Sequence, residues 1–422
     1  MSATNDRFAS STGLSSATVQ VLTDDGRFEP TDAATEFLPY LEKLTDDDYS
    51  RFYREMVRVR SFDTEATNLQ RQGQLALWPP SSGQEAAQVG SACAAAPQDT
   101  IFPSYREHAV ATIRGVDPLD IIRVMRGVTN SGWNPTDPKN GNVRVYTLVL
   151  GTQALHATGY AMGIDLDRTN PAAPLDRTSP AAVSVHGGVG NAEPDASARE
   201  AVMVYFGDGA SSEGQVSEAF VFASSFQTPQ VFFLQNNQWA ISVPVKTQSR
   251  APLYLRAGGF GMPGIQVDGN DVLASYIVSA KQLDAARGGR GPSLIEAVTY
   301  RMGAHTTSDD PTRYRTSDED EHWRGRDPIA RMRTFLSSRG VGDEWFDSID
   351  EEAADYAADI RRRTLELVAP TAELIFEHVY SEPHAGLVEQ QAWLERYEKS
   401  FEAEVGTAAG TAGAATTQGA GA

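Results

Sequence analysis

A carboxylate and an amide 29 positions apart carry the clearest chemistry in this sequence. Asp208 stands between Gly207 and Gly209 in "YFGDGASSEGQ", and Asn237 ends the run "VFFLQNN". Both present hard oxygen atoms. These suit magnesium, which takes an octahedron of oxygens and commonly shares its sphere with phosphates. A single carboxylate leaves such an ion positive enough to hold a diphosphate. The flanking glycines let backbone approach closely and free amide groups for phosphate oxygens. A Gly-Asp-Gly alone is more often a turn. A glycine-flanked acid, a helix, and a paired asparagine after the next strand are together far more specific.

The elements around the pair must bring it together. "AVMVYF" (201–206) is a short apolar run, followed by a helical stretch from Ser212 to Phe226. Ser212 and Gln215 have capping-box spacing. Thr228 and Pro229 break the helix, and "VFFLQ" (231–235) is the next strand. Strand, helix and strand within about 35 residues predict a right-handed crossover and parallel pairing. "GIQVDG" and "PSLIEAVTYRM" read as further strands of the same sheet. Ligands of parallel α/β sheets bind at the carboxyl ends of the strands. The crossover therefore places Asp208 and Asn237 on one rim.

After Asp318 the pattern turns helical. "DPIARMRTFLSSRG" has proline near its start and Gly340 as its stop, and "DEEAADYAADIRRRTLELVA" places acids early and arginines late. The expected organisation is a flexible arm over 1–35 and an α/β domain over 36–330 with a surface insertion at 168–200. A helical extension over 331–404 and a disordered tail over 405–422 complete it.

The segment "GDGASSEGQVSEAFVFASSFQTPQVFFLQNNQWAIS" resembles the thiamine-diphosphate motif, which begins Gly-Asp-Gly and ends Asn-Asn. Its flanks are similar to the α subunit of the decarboxylating first component of 2-oxo acid dehydrogenase complexes. The resemblance covers roughly Tyr53 to Trp323 and continues more loosely beyond. It implies a thiamine-diphosphate-binding fold, with Asp208 and Asn237 holding Mg2+ through side chains and Trp239 through its carbonyl. "SYREHA" is similar to the family's Tyr-Arg-Glu segment, which implies that Tyr105 and Arg106 touch the diphosphate. "LVLGTQALHATGYAMG" resembles the segment supporting the bent cofactor, with Leu150 under the ring and Gln153 nearby. "YRMGAHTTSDDPTRYR" resembles the active-site loop, which implies His305 in the chemistry, in contact with substrate, and Arg301 as its support. An imidazole titrating near neutrality there suits proton handling. The family's histidine before the thiamine-supporting loop has no counterpart in "SGWNPTDPKNGNVRVYTLVLG".

The resemblance further implies a β subunit supplying the glutamate that activates the cofactor, hence an α2β2 assembly, and a lipoyl-bearing acyltransferase component as acceptor. The substrate is a 2-oxo acid. "GQLALWPPSSGQEAAQVG" is similar to pyruvate-type α subunits, with the branched-chain 2-oxo acid (3-methyl-2-oxobutanoate) enzyme and acetoin dehydrogenase as rivals. A non-catalytic scaffold subunit is the alternative of another class.

Composition sets outer bounds. Acids outnumber bases 56 to 36, a net charge of −20, which disfavours nucleic acid and anionic membrane as partners. Cys93 is the only cysteine, so no intrachain disulfide and no multi-thiolate metal site forms, as suits a reducing cytoplasm. A dinucleotide reading of "VSVHGGVG" needs a helix before the next strand. Only "NAEPDASARE", with Pro194 inside it, is available.

Overall fold

The computed structural model describes residues 17–129, 132–169, 199–371, 373–377 and 379–414. Its centre is a five-stranded sheet, parallel throughout. In chain order the strands are β1 (Thr100–Phe102), β2 (Val202–Gly207), β3 (Gln230–Asn236), β4 (Gly264–Asp268) and β5 (Ser293–Val298). In space they run β1-β2-β3-β5-β4. Register puts Gly207 opposite Gln235 and Asn236 opposite Val298, so three adjacent strands end level on one rim.

β2 and β3 are buried on both faces, as their unbroken apolar runs require. On one face Val202, Val204, Phe206, Phe232 and Leu234 pack with Ala154, Ala157 and Ala161 of the Thr152–Thr169 helix and with Val216, Ala219 and Phe220 of the Gly214–Phe226 helix. On the other face Tyr205 lies 5.2 Å from Phe233, ring to ring, and donates to Ser91 in the Glu85–Ala94 helix at 2.9 Å. Gly90 of that helix is close enough to the Val272–Arg287 helix that a Cβ there would stand 2.6 Å from the Val272 carbonyl.

Several expectations need correction. Ser212 belongs to a short 3-10 turn; the helix begins at Gly214 after Glu213 with no side-chain cap, so no capping box forms. The arm expected over 1–35 is docked across residues 18–34. Val19 bridges Val267 in parallel at the sheet edge, and Val19, Val21 and Leu22 are buried. Asp271 accepts from the backbone of Val21 and of Leu22, each at 2.6 Å. Apolar residues at 19, 21 and 22 were enough to seat a stretch whose composition reads as polar.

The domain does not end at 330 either. The chain divides after Glu366 into two units. Helices Pro328–Ser338 and Asp343–Leu365 belong to the first, where Tyr53 of the long Asp46–Arg71 helix meets Trp345 and Phe346 at 5.6 and 5.0 Å between rings. The second unit holds a helical turn, Glu373–Phe376, and the Ala385–Ala414 helix, along which Trp393 stacks on Tyr397 and Tyr397 meets Phe401 edge-on. That helix runs into the stretch expected to be disordered from 405, because alanine is the strongest helix former. Most of the expected 168–200 insertion, and the last residues of the tail, lie outside the described residues. Among the described residues no helix is long and apolar enough to cross a membrane.

Candidate active site

Four neighbouring strands each deliver a functional group past their carboxyl ends. Tyr105 and Arg106 follow β1, Asp208 follows β2, Asn237 and Trp239 follow β3, and Arg301 and His305 follow β5. They meet around a cavity of about 570 Å3 lined by all the residues expected there except Arg301: Tyr105, Arg106, Leu150, Gln153, Gly207, Asp208, Gly209, Asn237, Trp239 and His305. Arg301 lies directly beneath, fully buried.

Asp208 is buried, and burial pushes its carboxyl up to about 6 against a Gln248 hydrogen bond at 2.8 Å that partly offsets the shift. A carboxylate in this position is short of positive charge. Of the paired asparagines, Asn236 is spent on structure, donating to Glu296 at 2.7 Å. Asn237 faces the cavity, donating to Gln84 at 3.2 Å and accepting from the Trp239 amide at 3.3 Å. The Trp239 carbonyl accepts from Arg301 at 3.1 Å, which occupies one of its two lone pairs. Among the described residues no group of three or more His, Cys, Asp or Glu converges on a metal position. A cation here would thus take much of its charge compensation from ligand oxygens. The two glycines differ. A Cβ at Gly209 would stand 2.8 Å from the Ala240 Cβ, whereas one at Gly207 would meet only the Gln235 carbonyl at 3.9 Å.

Arg106 forms no ion pair with Glu107. It donates to the Pro80 carbonyl at 2.6 Å and to the His305 carbonyl at 3.0 Å, and its Nη2 lies 3.3 Å from His305 Nδ1. Arg301 Nη1 stands 3.3 Å from the same Nδ1, and its Nη2 donates to the Ile241 carbonyl at 2.8 Å and to the Tyr314 hydroxyl at 2.9 Å. The Tyr314 hydroxyl in turn donates to Asp309, which accepts from the His305 amide at 2.8 Å. The expected neutral-range titration of His305 is therefore wrong. Burial, then Arg106 and Arg301, push its imidazolium down to about 3. His108 is a packing residue, stacked 4.3 Å from Trp78 and held between the Tyr146 hydroxyl and the Pro79 carbonyl at 3.0 Å each.

Several site residues, Gln84 and Gln235 among them, gave little sequence signal, whereas Gln153 was expected. Gln84 Nε2, Gln153 Oε1 and Gln235 Oε1 are buried, lack a protein partner and belong to cavity-lining residues. Unpaired buried polar atoms cost about 1–3 kcal/mol each, so the cavity is built for a polar ligand. Ile241 has φ 54°, an outlier for a β-branched residue, and exposes its side chain to the cavity. The clamp on its carbonyl by Arg301 is what holds that conformation. Asp63, far away in sequence, accepts from Trp78, Ser81 and Ser82 and so fixes the "WPPSS" wall of the site.

Comparison with known proteins bears on the same region. The family model described as "Dehydrogenase E1 component" matches residues 53–364. A 3-methyl-2-oxobutanoate dehydrogenase subunit alpha from Mycobacterium tuberculosis is 42% identical over 360 residues, 84% of this chain and 89% of that one. A pyruvate dehydrogenase E1 component subunit alpha from Acholeplasma laidlawii is 36% identical over 359 residues, 84% and 95% of the two chains. One of the same name from Staphylococcus aureus is 33% identical over 378 residues, 88% and 91%.

Proposed function

The chain belongs to the dehydrogenase E1 component family, and from that premise we propose that it is the α subunit of a cytoplasmic 2-oxo acid dehydrogenase. The enzyme decarboxylates a 2-oxo acid oxidatively and passes the acyl group to the lipoyl arm of an acyltransferase component. The observation that carries this reading is the convergence of Asp208, Asn237, Arg106 and His305 on one cavity from four adjacent strand ends. A degenerate scaffold subunit would have had no reason to keep them together.

Thiamine diphosphate, when bound, supplies the electron sink that a decarboxylating 2-oxo acid needs. The chain's residues fit it. Asp208, Asn237 and the free lone pair of the Trp239 carbonyl would hold Mg2+. Tyr105 and Arg106 would meet the diphosphate, Arg106 with the N–H groups that Pro80 and His305 do not engage. The backbone at Gly207 and Gly209 would allow close approach, and Leu150 and Gln153 would support the cofactor from the cavity wall. The three orphaned glutamine atoms are the polar groups such a ligand would satisfy.

Leu148, Leu150, Ile241 and Val243 leave aliphatic surface exposed around the same cavity. Contiguous apolar surface at a site mouth fits a protein partner. A β subunit would cover it and supply the cofactor-activating glutamate in an α2β2 assembly.

Two acids compete as substrate. The "GQLALWPPSSGQEAAQVG" segment supports pyruvate, and the higher identity to the Mycobacterium tuberculosis relative supports 3-methyl-2-oxobutanoate. The two acids differ by two carbons, each worth only about 1–3 kcal/mol in an apolar pocket.

Cofactor titration of the chain in complex with its β partner tests the site. Binding should require Mg2+, and Asp208→Ala should abolish that requirement together with tight binding. Unaltered magnesium-dependent binding in the variant would reject Asp208 as a ligand, and a native complex without thiamine diphosphate would favour the scaffold reading.

A further inference from the structure

The two arginines beside His305 do something that a supporting contact does not require. Guanidinium groups only donate hydrogen bonds. Arg106 Nη2 and Arg301 Nη1 both stand 3.3 Å from the same ring atom, Nδ1. That atom must therefore carry the lone pair. The ring proton is left on Nε2, which has no protein partner among the described residues, on a side chain that lines the cavity. We propose that Arg106 and Arg301 are a pair of positioning residues that hold His305 as its neutral Nε2–H tautomer, a fixed hydrogen-bond donor to an oxygen of the bound 2-oxo acid. The proposal deepens the function above and rests on it for the identity of the acceptor.

Everything around the ring fits a locked donor. Arg106 also donates to the His305 carbonyl, and Asp309 accepts from its amide, so the backbone is held on both sides. Among the described residues Asp309 is the one acid facing His305, and it is already engaged by the Tyr314 hydroxyl as well as by the His305 amide, leaving two cations against the ring. Tyr105 packs its ring edge-on to the imidazole, with centroids 6.3 Å apart, and limits rotation about χ2. The shift of the imidazolium down to about 3 agrees with the geometry. A histidine so held neither takes nor gives a proton between pH 5 and 8, and its service to the reaction is orientation and charge stabilisation through one N–H.

Arg301 adds a second consequence. The same guanidinium donates to the carbonyls of Trp239 and Ile241, so the loop after the paired asparagine and the histidine share one clamp. Disturbing one moves the other.

The test uses the complex with the β partner and reads His305 without relying on turnover. Exchange of the imidazole Cε1 proton for deuterium, followed by peptide mass spectrometry from pH 4 to 9, reports the titration of each histidine. In the parent, His305 should show no transition above pH 5. Arg301→Met and Arg106→Met should each move a transition upward by more than one pH unit, whereas Arg301→Lys should largely restore the parent curve. The pH profile of kcat/KM should follow. The Met variants gain an acid limb near pH 6 and lose about fourfold between pH 8 and 5.5 beyond any loss in the parent. A parent transition between pH 6 and 7 would overturn the proposal, and that curve needs no variant to fold. So would Met variants that leave the curve unmoved. If the exchange behaves as expected but no 2-oxo acid is turned over, the tautomer lock stands and the functional reading falls.

Discussion

Replacing Asp208 by asparagine separates the cost of burying a carboxylate from its use as a ligand. Burial raises the folded-state pKa of Asp208 from 3.8 to about 6. The folded chain therefore holds this proton more tightly than the unfolded chain does. Stability from this group is fully present at low pH, is lost as pH rises through that window, and levels off once both states are ionised. Roughly two pKa steps at about 1.36 kcal/mol each give a penalty of about 3 kcal/mol at pH 8. At pH 4.5, where much of the folded population is protonated, the penalty is about 1 kcal/mol. The substituted amide keeps the shape of the carboxyl and can still accept from Gln248, so Asp208→Asn should stabilise the metal-free protein by those amounts at the two pH values. Urea unfolding of parent and variant at pH 4.5 and 8 measures the difference directly. Adding Mg2+ and thiamine diphosphate at pH 8 should reverse the order, because only the parent has the charge that the cation compensates. A variant less stable than the parent at pH 8 without metal, or a difference that ignores pH, would refute the reasoning.

Other outcomes follow from the same geometry. His305→Ala should abolish lipoyl acylation while leaving cofactor affinity within about twofold, since Arg106 stays held by the carbonyls of Pro80 and of residue 305 without the imidazole; an equal loss in cofactor binding would contradict this. Asp63→Ala should destabilise the chain by about 4 kcal/mol, by leaving the Trp78 indole and the Ser81 and Ser82 amides unpaired, and a change below about 1 kcal/mol in urea unfolding would refute that role. Gln84→Leu removes an unpaired buried Nε2 but also the Oε1 that accepts from Asn237, so the two effects should offset to within about 1 kcal/mol in the cofactor-free protein while thiamine diphosphate binding weakens by about tenfold; unchanged affinity would remove Gln84 from the site.

The parallel sheet and its rim were legible because β2 and β3 are short, carry apolar runs and are joined by a crossover, which aligns Asp208 with Asn237 at their carboxyl ends. The residues that follow β1 and β5 were reached only through the family resemblance, since the pairing of those strands is far apart in sequence. Ile241 could not have been foreseen, because nothing local favours φ 54° for a β-branched residue and the guanidinium that bonds its carbonyl comes from position 301. His305 shows the limit most clearly. Its loop, "GAHTTSDD", suggests an ordinary titrating imidazole; Arg301 is near it in sequence, but the second guanidinium against the ring, that of Arg106, arrives from 199 positions away. Composition misjudged the ends as well. Val19, Val21 and Leu22 were too few to read as core, yet together with Asp271 they dock the N-terminal segment.

The decisive assay is acylation of the lipoyl-bearing component by this chain, alone and with its β partner, comparing kcat/KM for pyruvate and 3-methyl-2-oxobutanoate. No turnover is expected from the chain alone. Magnesium-dependent turnover of a 2-oxo acid is expected from the complex, with the preferred acid naming the enzyme. Turnover without β, or none of either acid by a cofactor-loaded complex, would contradict the assignment.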